Sequence, residues 1–174
     1  ELANKLTAGR ADDVRACIAC NQACVGHLHF GAPISCIQHP ETGRELAYGN
    51  RKPSATPRKV LIAGGGPGGM KAAAVAAERG HQVILCESTT RLGGQALLAQ
   101  LLPGRAEFGG IVTNLSRELE LAGVETRLKT PVTHSLAEQE QPEADSEGAD
   151  QHDPDGNGER LPDAARGDGL HDRG

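Results

Sequence analysis

The sequence predicts an α/β fold in which part of a doubly wound parallel sheet follows a small cysteine-rich segment and precedes a disordered C-terminal tail. Three observations support this prediction. From residue 59, an apolar β-branched run leads into a glycine-rich turn, an alanine-rich helix and a second apolar run, which is the order of a βαβ unit. Four cysteines are crowded into residues 17–36. From residue 134 onward, the sequence is acidic and poor in large apolar residues.

The first segment, residues 1–42, is characterised by the cysteine spacing C-x2-C-x3-C-x11-C. A cubane iron–sulfur cluster needs one thiolate for each iron, and three thiolates close in sequence can bind three irons while a later one binds the fourth. Most of the intervening residues are apolar, which limits the access of water and helps to set the reduction potential of a cluster. The spacing therefore predicts a metal cluster held by Cys17, Cys20, Cys24 and Cys36.

Three other interpretations of these cysteines stay open. Zinc is the strongest, because His27 or His29 could replace a thiolate, although structural zinc sites prefer two C-x2-C pairs or paired Cys/His elements. Disulfides suit short secreted chains, and no secretory signal is visible here. Free cysteines that serve only as small buried apolar residues are the third, but three of them within eight positions would be unusual.

Residues 43–57, rich in Pro, Gly and polar residues, are predicted to be a linker, and residues 58–133 a partial dinucleotide-binding domain. After the strand VLIAG, the glycines Gly64, Gly66 and Gly69 have the spacing G-x-G-x-x-G. The first permits a tight turn, the second lets a pyrophosphate approach the backbone, and the third allows the helix to pack closely on the strand. Pro67 suits the first turn of the helix that follows.

The second strand, HQVILCE, ends in Glu87, an acid that can accept hydrogen bonds from a ribose 2′-hydroxyl and would repel a 2′-phosphate. A strand, a glycine turn, a helix and a strand ending in an acid together predict a Rossmann-like site, with a purely structural turn as the alternative. The fingerprint serves FAD and NAD alike. Cys86, within this strand, is predicted to lie in the core.

The rest of the domain is predicted to contain a second glycine turn, two helical stretches and a third strand. In STTRLGGQ, the glycine pair ending at Gly94 and the following Gln95 indicate a close approach of the backbone to a neighbour, with an ordinary turn as the alternative. A helical stripe ends at Gly123, and VETRL is predicted to be the third strand. Residues 129–133 are expected to pair with the edge of this strand. This amounts to half of a doubly wound sheet.

Charge and composition exclude several classes of function. The net charge is −5, but residues 135–174 alone carry −9, so the residues before them carry +4. That modest excess and the three aromatic residues of the chain argue against nucleic-acid binding, and no apolar run is long enough to cross a membrane. Iron-ligating thiolates and the lack of a targeting peptide favour the cytoplasm. Because the chain begins with Glu1 in a helical pattern, we expect a fragment.

The motifs CIACNQAC, AGGGPGGMKAA, RLGGQ and LPGR, with Cys36, occur in the order found in one family. Over residues 1–133 the chain resembles the iron–sulfur flavoproteins of the 2,4-dienoyl-CoA reductase and trimethylamine dehydrogenase type, relatives of old yellow enzyme that include N-methylated amine demethylases. The resemblance implies a [4Fe–4S] cluster on the four cysteines. It also implies FAD bound through the glycine turn, the acid that follows it and the second glycine turn, with candidate residues Gly64, Gly66, Pro67, Gly68, Gly69, Glu87, Gly94, Gln95 and Arg105.

In that family a preceding β/α barrel holds FMN and a small-molecule substrate. The resemblance therefore implies an electron-transfer part that passes electrons between FAD or NAD(P)H and FMN, acts on an enoyl-type compound or an N-methylated amine, and in one branch serves an electron-transfer partner. No residue of this chain stands out as a general acid, base or nucleophile, so the isolated chain is expected to be inactive. A non-catalytic redox or nucleotide-binding module and a zinc-stabilised module are the alternatives.

Residues 134–174 depart from the family, because an acidic, strand-free tail replaces the expected next strand. We predict that it is disordered, since it cannot bury enough apolar surface to offset the entropy of ordering its backbone. Two origins stay open, a native acidic extension and an out-of-frame continuation, and the sequence of the encoding locus would distinguish them.

Overall fold

A computed structural model describes residues 2–142 of the protein. Within these residues lies a sheet of three parallel strands. The strands are β1 (Lys59–Ala63), β2 (Gln82–Cys86) and β3 (Glu125–Arg127), in the order β1-β2-β3. Ile62 is in register with Leu85, and Cys86 with Arg127. Parallel strands need crossover connections, and here helices provide them. The predicted half of a doubly wound sheet is confirmed.

Two long helices cover the sheet: α4 (Pro67–Glu78) connects β1 to β2, and α6 (Gly110–Ala122) precedes β3. They share one apolar core with alternate residues of β2, as expected because side chains alternate between the faces of a strand. This core consists of Met70, Ala73, Ala74, Val83, Leu85, Leu115 and Leu119. Ile84 and Cys86 are also buried but do not belong to that cluster, and the prediction that Cys86 is a core residue is confirmed.

Short elements make up the remainder. The cysteine segment contains α1 (Leu2–Thr7), a 3-10 turn (Ala11–Asp13), a π-helical turn (Gln22–Gly26) and α2 (His27–His29), and the linker contains α3 (Glu45–Tyr48). Between β2 and α6 lie α5 (Ala96–Ala99) and a second 3-10 turn (Ala106–Gly109). Within residues 2–142, no helix combines the length and the apolar character needed to span a membrane.

Two predictions about the end of the domain differ from the structure. Residues 129–133 do not form a strand, because Lys129 has a left-handed backbone (φ 54°) that interrupts an extended run. Its N–H donates to the carbonyl of Thr89 at 2.8 Å instead. The predicted disorder from residue 134 is wrong for the first residues of the tail, where α7 (His134–Glu140) forms.

A local cap and ion pairs explain α7, and neither is visible in average composition. The hydroxyl of Thr133 accepts a hydrogen bond from the N–H of Leu136 at 3.2 Å, which caps the helix N-terminus. At the other end, the carboxylate of Glu140 pairs with Lys59 at 2.8 Å and with Arg127. The predicted tail beyond residue 142 lies outside the described residues.

Candidate functional site

The glycine turn between β1 and α4 requires glycine at two positions, one for its backbone conformation and one for close packing. Gly64 has φ +101°, which other residues rarely adopt. A Cβ on Gly69 would collide with the carbonyl oxygen of Gly64, so this position must be glycine for α4 to start so close to β1. The structural roles predicted for the first and third glycines agree with this geometry.

Gly66 and Gly68, in contrast, face open space. A Cβ built on either residue would have no neighbour within 4 Å. Gly66 caps α4 and Pro67 is its first residue, so the free N–H groups of the first turn point away from the helix beside these open positions. A helix N-terminus next to open glycines fits the pyrophosphate of a dinucleotide, because the N–H groups and the helix dipole both favour an anion.

The acid at the end of β2 is held against this turn. Glu87 is 7% exposed, and its carboxylate accepts hydrogen bonds from the N–H groups of Gly65 and Thr89, each at 2.7 Å. Ser88 donates a third bond at 3.2 Å. These donors, the N–H of Thr89 first and that of Gly65 second, lower the pKa of Glu87 to about 2. Glu87 is therefore ionised throughout the neutral range and fixes the turn that precedes α4.

The second glycine turn packs directly on the first one. The N–H of Gly93 donates to the carbonyl of Gly65 at 2.8 Å, and a Cβ on Gly94 would lie 3.2 Å from the Cα of Gly66. Beside this contact is a cleft of about 440 Å³ lined by Glu87, Thr89, Thr90, Arg91, Gly94, Gln95, Leu97 and Leu98. The structure thus brings Glu87, Gly94 and Gln95 to one cleft next to the glycine turn.

Arg105, another predicted site residue, is not among the residues that line this cleft. Its guanidinium lies over the ring of Phe108, 5.4 Å from the centroid. Thr89 and Arg91 line the cleft without having been predicted. Thr89 lies only two residues after Glu87, just beyond the end of a strand, where the N–H of Thr89 can bond back to the Glu87 carboxylate. This position in the sequence could have identified Thr89 as a residue of the cleft.

The four predicted cysteine ligands lie in one irregular segment. Cys17 is exposed, Cys20, Cys24 and Cys36 are half-buried, and all are free thiols rather than disulfides. Within the described residues, no three His, Cys, Asp or Glu side chains are arranged to hold a metal ion. A cubane is a larger group than a single ion and takes each thiolate on a different iron, so its ligands need not meet at one atom.

A backbone hydrogen bond nevertheless brings the positions of Cys24 and Cys36 close together. The N–H of Ser35 donates to the carbonyl of Ala23 at 2.8 Å, which makes the chain neighbours of Cys36 and Cys24 adjacent. The N–H of Ala19 donates to the sulfur of Cys17 at 3.3 Å, the kind of bond that tunes a metal-bound thiolate. Of the two histidines that could replace a thiolate, His27 shares a hydrogen bond of 2.9 Å between its Nδ1 and the carbonyl of Pro33.

The backbone on both sides of Cys20 is in an unusual conformation. Ala19 and Asn21 have φ values of 51° and 55°, and Cys24 lies in the π-helical turn. A left-handed alanine is rare and costs energy, and such residues and π-helical turns cluster at functional sites. Together with the N–H···S bond, this loop fits a segment shaped around a bound group.

The cysteine segment is docked on α6. The carbonyl of Ala16 accepts hydrogen bonds from Gln38 at 2.8 Å and from Asn114 of α6 at 3.2 Å. Ile18, 2% exposed, packs against Gly110 at the start of α6, where an added Cβ would lie 3.2 Å from its Cγ2. The predicted cluster ligands and the glycine turn therefore belong to one folded unit.

Comparisons with known proteins agree with this geometry. The family model described as FAD dependent oxidoreductase matches residues 59–168. The chain is 43% identical over 128 residues to NADH oxidase of Thermoanaerobacter brockii, covering 73% of this chain and 20% of that protein. It is 40% identical over 129 residues to N,N-dimethylglycine/sarcosine dehydrogenase of Chromohalobacter salexigens, covering 72% and 18%. A solved structure of 2-naphthoyl-CoA reductase matches with a TM-score of 0.76 and 31% identity, covering 81% and 22%. The chain thus spans about a fifth of these proteins.

Proposed function

The chain belongs to the family of FAD-dependent oxidoreductases, and we propose that it forms the electron-transfer part of a larger, multi-cofactor member of that family. In this proposal, electrons pass between FAD or NAD(P)H and an FMN bound elsewhere in the longer protein, through a [4Fe–4S] cluster on this chain. The single observation that carries the proposal is the docking of the cysteine segment on α6, within the same folded unit as the glycine turn.

The residues proposed to hold FAD are those around the glycine turn and the adjoining cleft. The open positions at Gly66 and Gly68, at the start of α4, would hold the pyrophosphate, and Glu87 would accept hydrogen bonds from the ribose. Gln95 lines the cleft and would contact the same ligand. Arg105 stays a proposal from the family resemblance alone, since it stacks on Phe108.

The residues proposed to hold the cluster are Cys17, Cys20, Cys24 and Cys36. When bound, a flavin exchanges hydride or single electrons, and an iron–sulfur cluster carries one electron at a time. The protein directs the N–H group of Ala19 at the sulfur of Cys17 and attaches the cysteine loop to α6 through the bond from Asn114 to Ala16. The relatives suggest the substrate classes, since one is named a reductase of 2-naphthoyl-CoA and another a dehydrogenase of N,N-dimethylglycine and sarcosine. We propose that the rest of the longer protein selects between an enoyl-type compound and an N-methylated amine.

Anaerobic reconstitution with iron and sulfide tests the cluster. We expect about four irons and four sulfides per chain, and Cys20→Ala should lower the iron content while the matched Cys86→Ala should not, because Cys86 lies in β2, outside the cysteine segment. One zinc per chain without sulfide would overturn the cluster and favour a zinc-stabilised module. Separately, FAD released on denaturation supports the dinucleotide site, whereas NAD alone would contradict the proposed cofactor.

A further inference from the structure

Charged side chains of the cysteine segment, the linker, α4 and α6 meet where the cysteine segment lies against the two long helices. The carboxylate of Glu41 is 7% exposed; it pairs with Arg51 of the linker and lies 3.9 Å from Lys71 of α4. Lys71 donates a hydrogen bond to Glu118 of α6 at 2.8 Å, and the guanidinium of Arg15 lies 3.1 Å from the same carboxylate. We call these five residues the ion network.

Lys71 occupies a special position in the ion network, because it contacts both carboxylates and belongs to the first half of α4. The glycine turn leads directly into that half of the helix at Pro67. The linker also contacts α4 through Arg51 and Glu78, but Glu78 is the last residue of the helix, far from the glycine turn. Among the ion pairs of the described residues, the pair between Lys71 and Glu41 is the one that joins the first half of α4 to the cysteine segment.

We propose that Lys71 couples the dinucleotide site to the docking of the cysteine segment. A ligand that orders the N-terminus of α4 also orders Lys71, and through Glu41 it orders the segment that carries the cysteines. Coupling between two sites is reciprocal, so a docked cysteine segment favours dinucleotide binding by the same factor. This inference rests on the proposed binding of FAD at the glycine turn. It assigns Lys71 a positioning role, without contact to the ligand.

Hydrogen exchange of the full 174-residue chain, with and without FAD, tests the coupling. In the wild type, FAD should slow exchange in β1 and α4 and, by about fivefold, in residues 10–48. In Lys71→Met, FAD should still slow exchange in β1 and α4 but no longer in residues 10–48. Lys71→Arg should restore the response, and the matched control Lys52→Met should behave as the wild type, since the structure gives Lys52 no ion pair within the described residues.

The outcomes separate this inference from the proposed function. If FAD slows exchange around the glycine turn but not in the cysteine segment of the wild type, the coupling is wrong and the FAD site stands. If FAD slows exchange nowhere, both are wrong. A response in residues 10–48 that survives in Lys71→Met overturns the role of Lys71. Should Lys71→Met lose protection in β2 and so fail to fold, Glu41→Gln removes the carboxylate of this contact, together with its ion pair to Arg51, and should abolish the response.

Discussion

The sheet domain and the cysteine segment bury different kinds of side chain. In residues 58–128, the buried side chains are almost all apolar, and Glu87 is the exception within the described part of the domain. In residues 2–42, one buried side chain is apolar, Ile18, whereas Asp13, Gln38 and Glu41 are polar or charged. Apolar burial stabilises a domain directly, whereas buried ion pairs contribute little net stability because the charges lose their water. The sheet domain therefore has an apolar core of its own, while the cysteine segment depends on specific polar partners.

The largest expected effect comes from the apolar core of the sheet. Leu85→Ala removes a fully buried side chain and should lower the free energy of unfolding by about 3 kcal/mol, because it leaves a cavity between β2 and the helices. Urea unfolding followed by circular dichroism measures it. The matched control Leu28→Ala, at a leucine 62% exposed in the cysteine segment, should change the free energy by less than about 0.5 kcal/mol. Equal losses in the two variants would contradict the comparison.

The next effect should be confined to the cysteine segment. Ile18→Ala removes the one buried apolar contact described for residues 2–57 and should cost roughly 2 kcal/mol of local stability. Faster hydrogen exchange in residues 10–48, with unchanged exchange in β2, is the expected observation. Ile34→Ala, at an isoleucine 49% exposed, is the matched control. If β2 also loses protection, the segment and the sheet unfold as one unit and the comparison fails.

The sheet domain could be predicted from the sequence because the patterns that specify it involve residues close together in the chain. The glycine turn leading into Pro67, the apolar run of β2 and the glycine after α6 each follow from neighbouring residues, and the strand order follows from the βαβ connection. The predicted resemblance is confirmed at the level of FAD-dependent oxidoreductases. Part of the lining of the cleft beside Glu87 was also predicted, namely Gly94 and Gln95.

Contacts between distant residues could not be predicted in the same way. The pairing of Lys71 with Glu118 joins positions whose charges look like ordinary solvated helix residues in the sequence. The helix α7 depends on Glu140 finding Lys59, which lies at the start of the domain. The left-handed backbone of Ala19 follows no residue preference, whereas Asn21 is one of the residues that adopt this conformation more readily. Tertiary partners, rather than local propensity, decide the ion pair and the helix α7.

Glu87 sharpens the comparison, because it is a buried carboxylate satisfied by main-chain N–H groups, whereas Glu41 depends on ion pairs. Glu87→Gln should cost roughly 1.5 kcal/mol at pH 7, since an amide cannot accept both N–H bonds equally well. The pKa of Glu87 in the folded state is about 2, below the ordinary value of 4.5. Its contribution to stability is therefore present above about pH 4.5 and is lost as the pH falls towards 2.

Urea unfolding between pH 7 and pH 3 measures this dependence. The difference between the wild type and Glu87→Gln should shrink as the pH falls, while the exposed Glu107→Gln should show no comparable loss at pH 7. A difference that stays constant over this range would mean that the carboxylate charge does not hold the glycine turn.

The smallest expected effect asks whether α7 belongs to the sheet domain. Thr133→Ala removes the cap of α7 and should cost about 1 kcal/mol, because the N–H of Leu136 loses its acceptor. Thr113→Ala, at an exposed threonine inside α6, removes the same atoms without removing a cap and should be neutral or slightly stabilising. If α7 is anchored to the sheet by Glu140, the cost will appear in the global unfolding of the sheet, measured by exchange in β2. If only residues 133–140 exchange faster, the helix forms and melts independently, and its ion pairs with Lys59 and Arg127 do not stabilise the sheet.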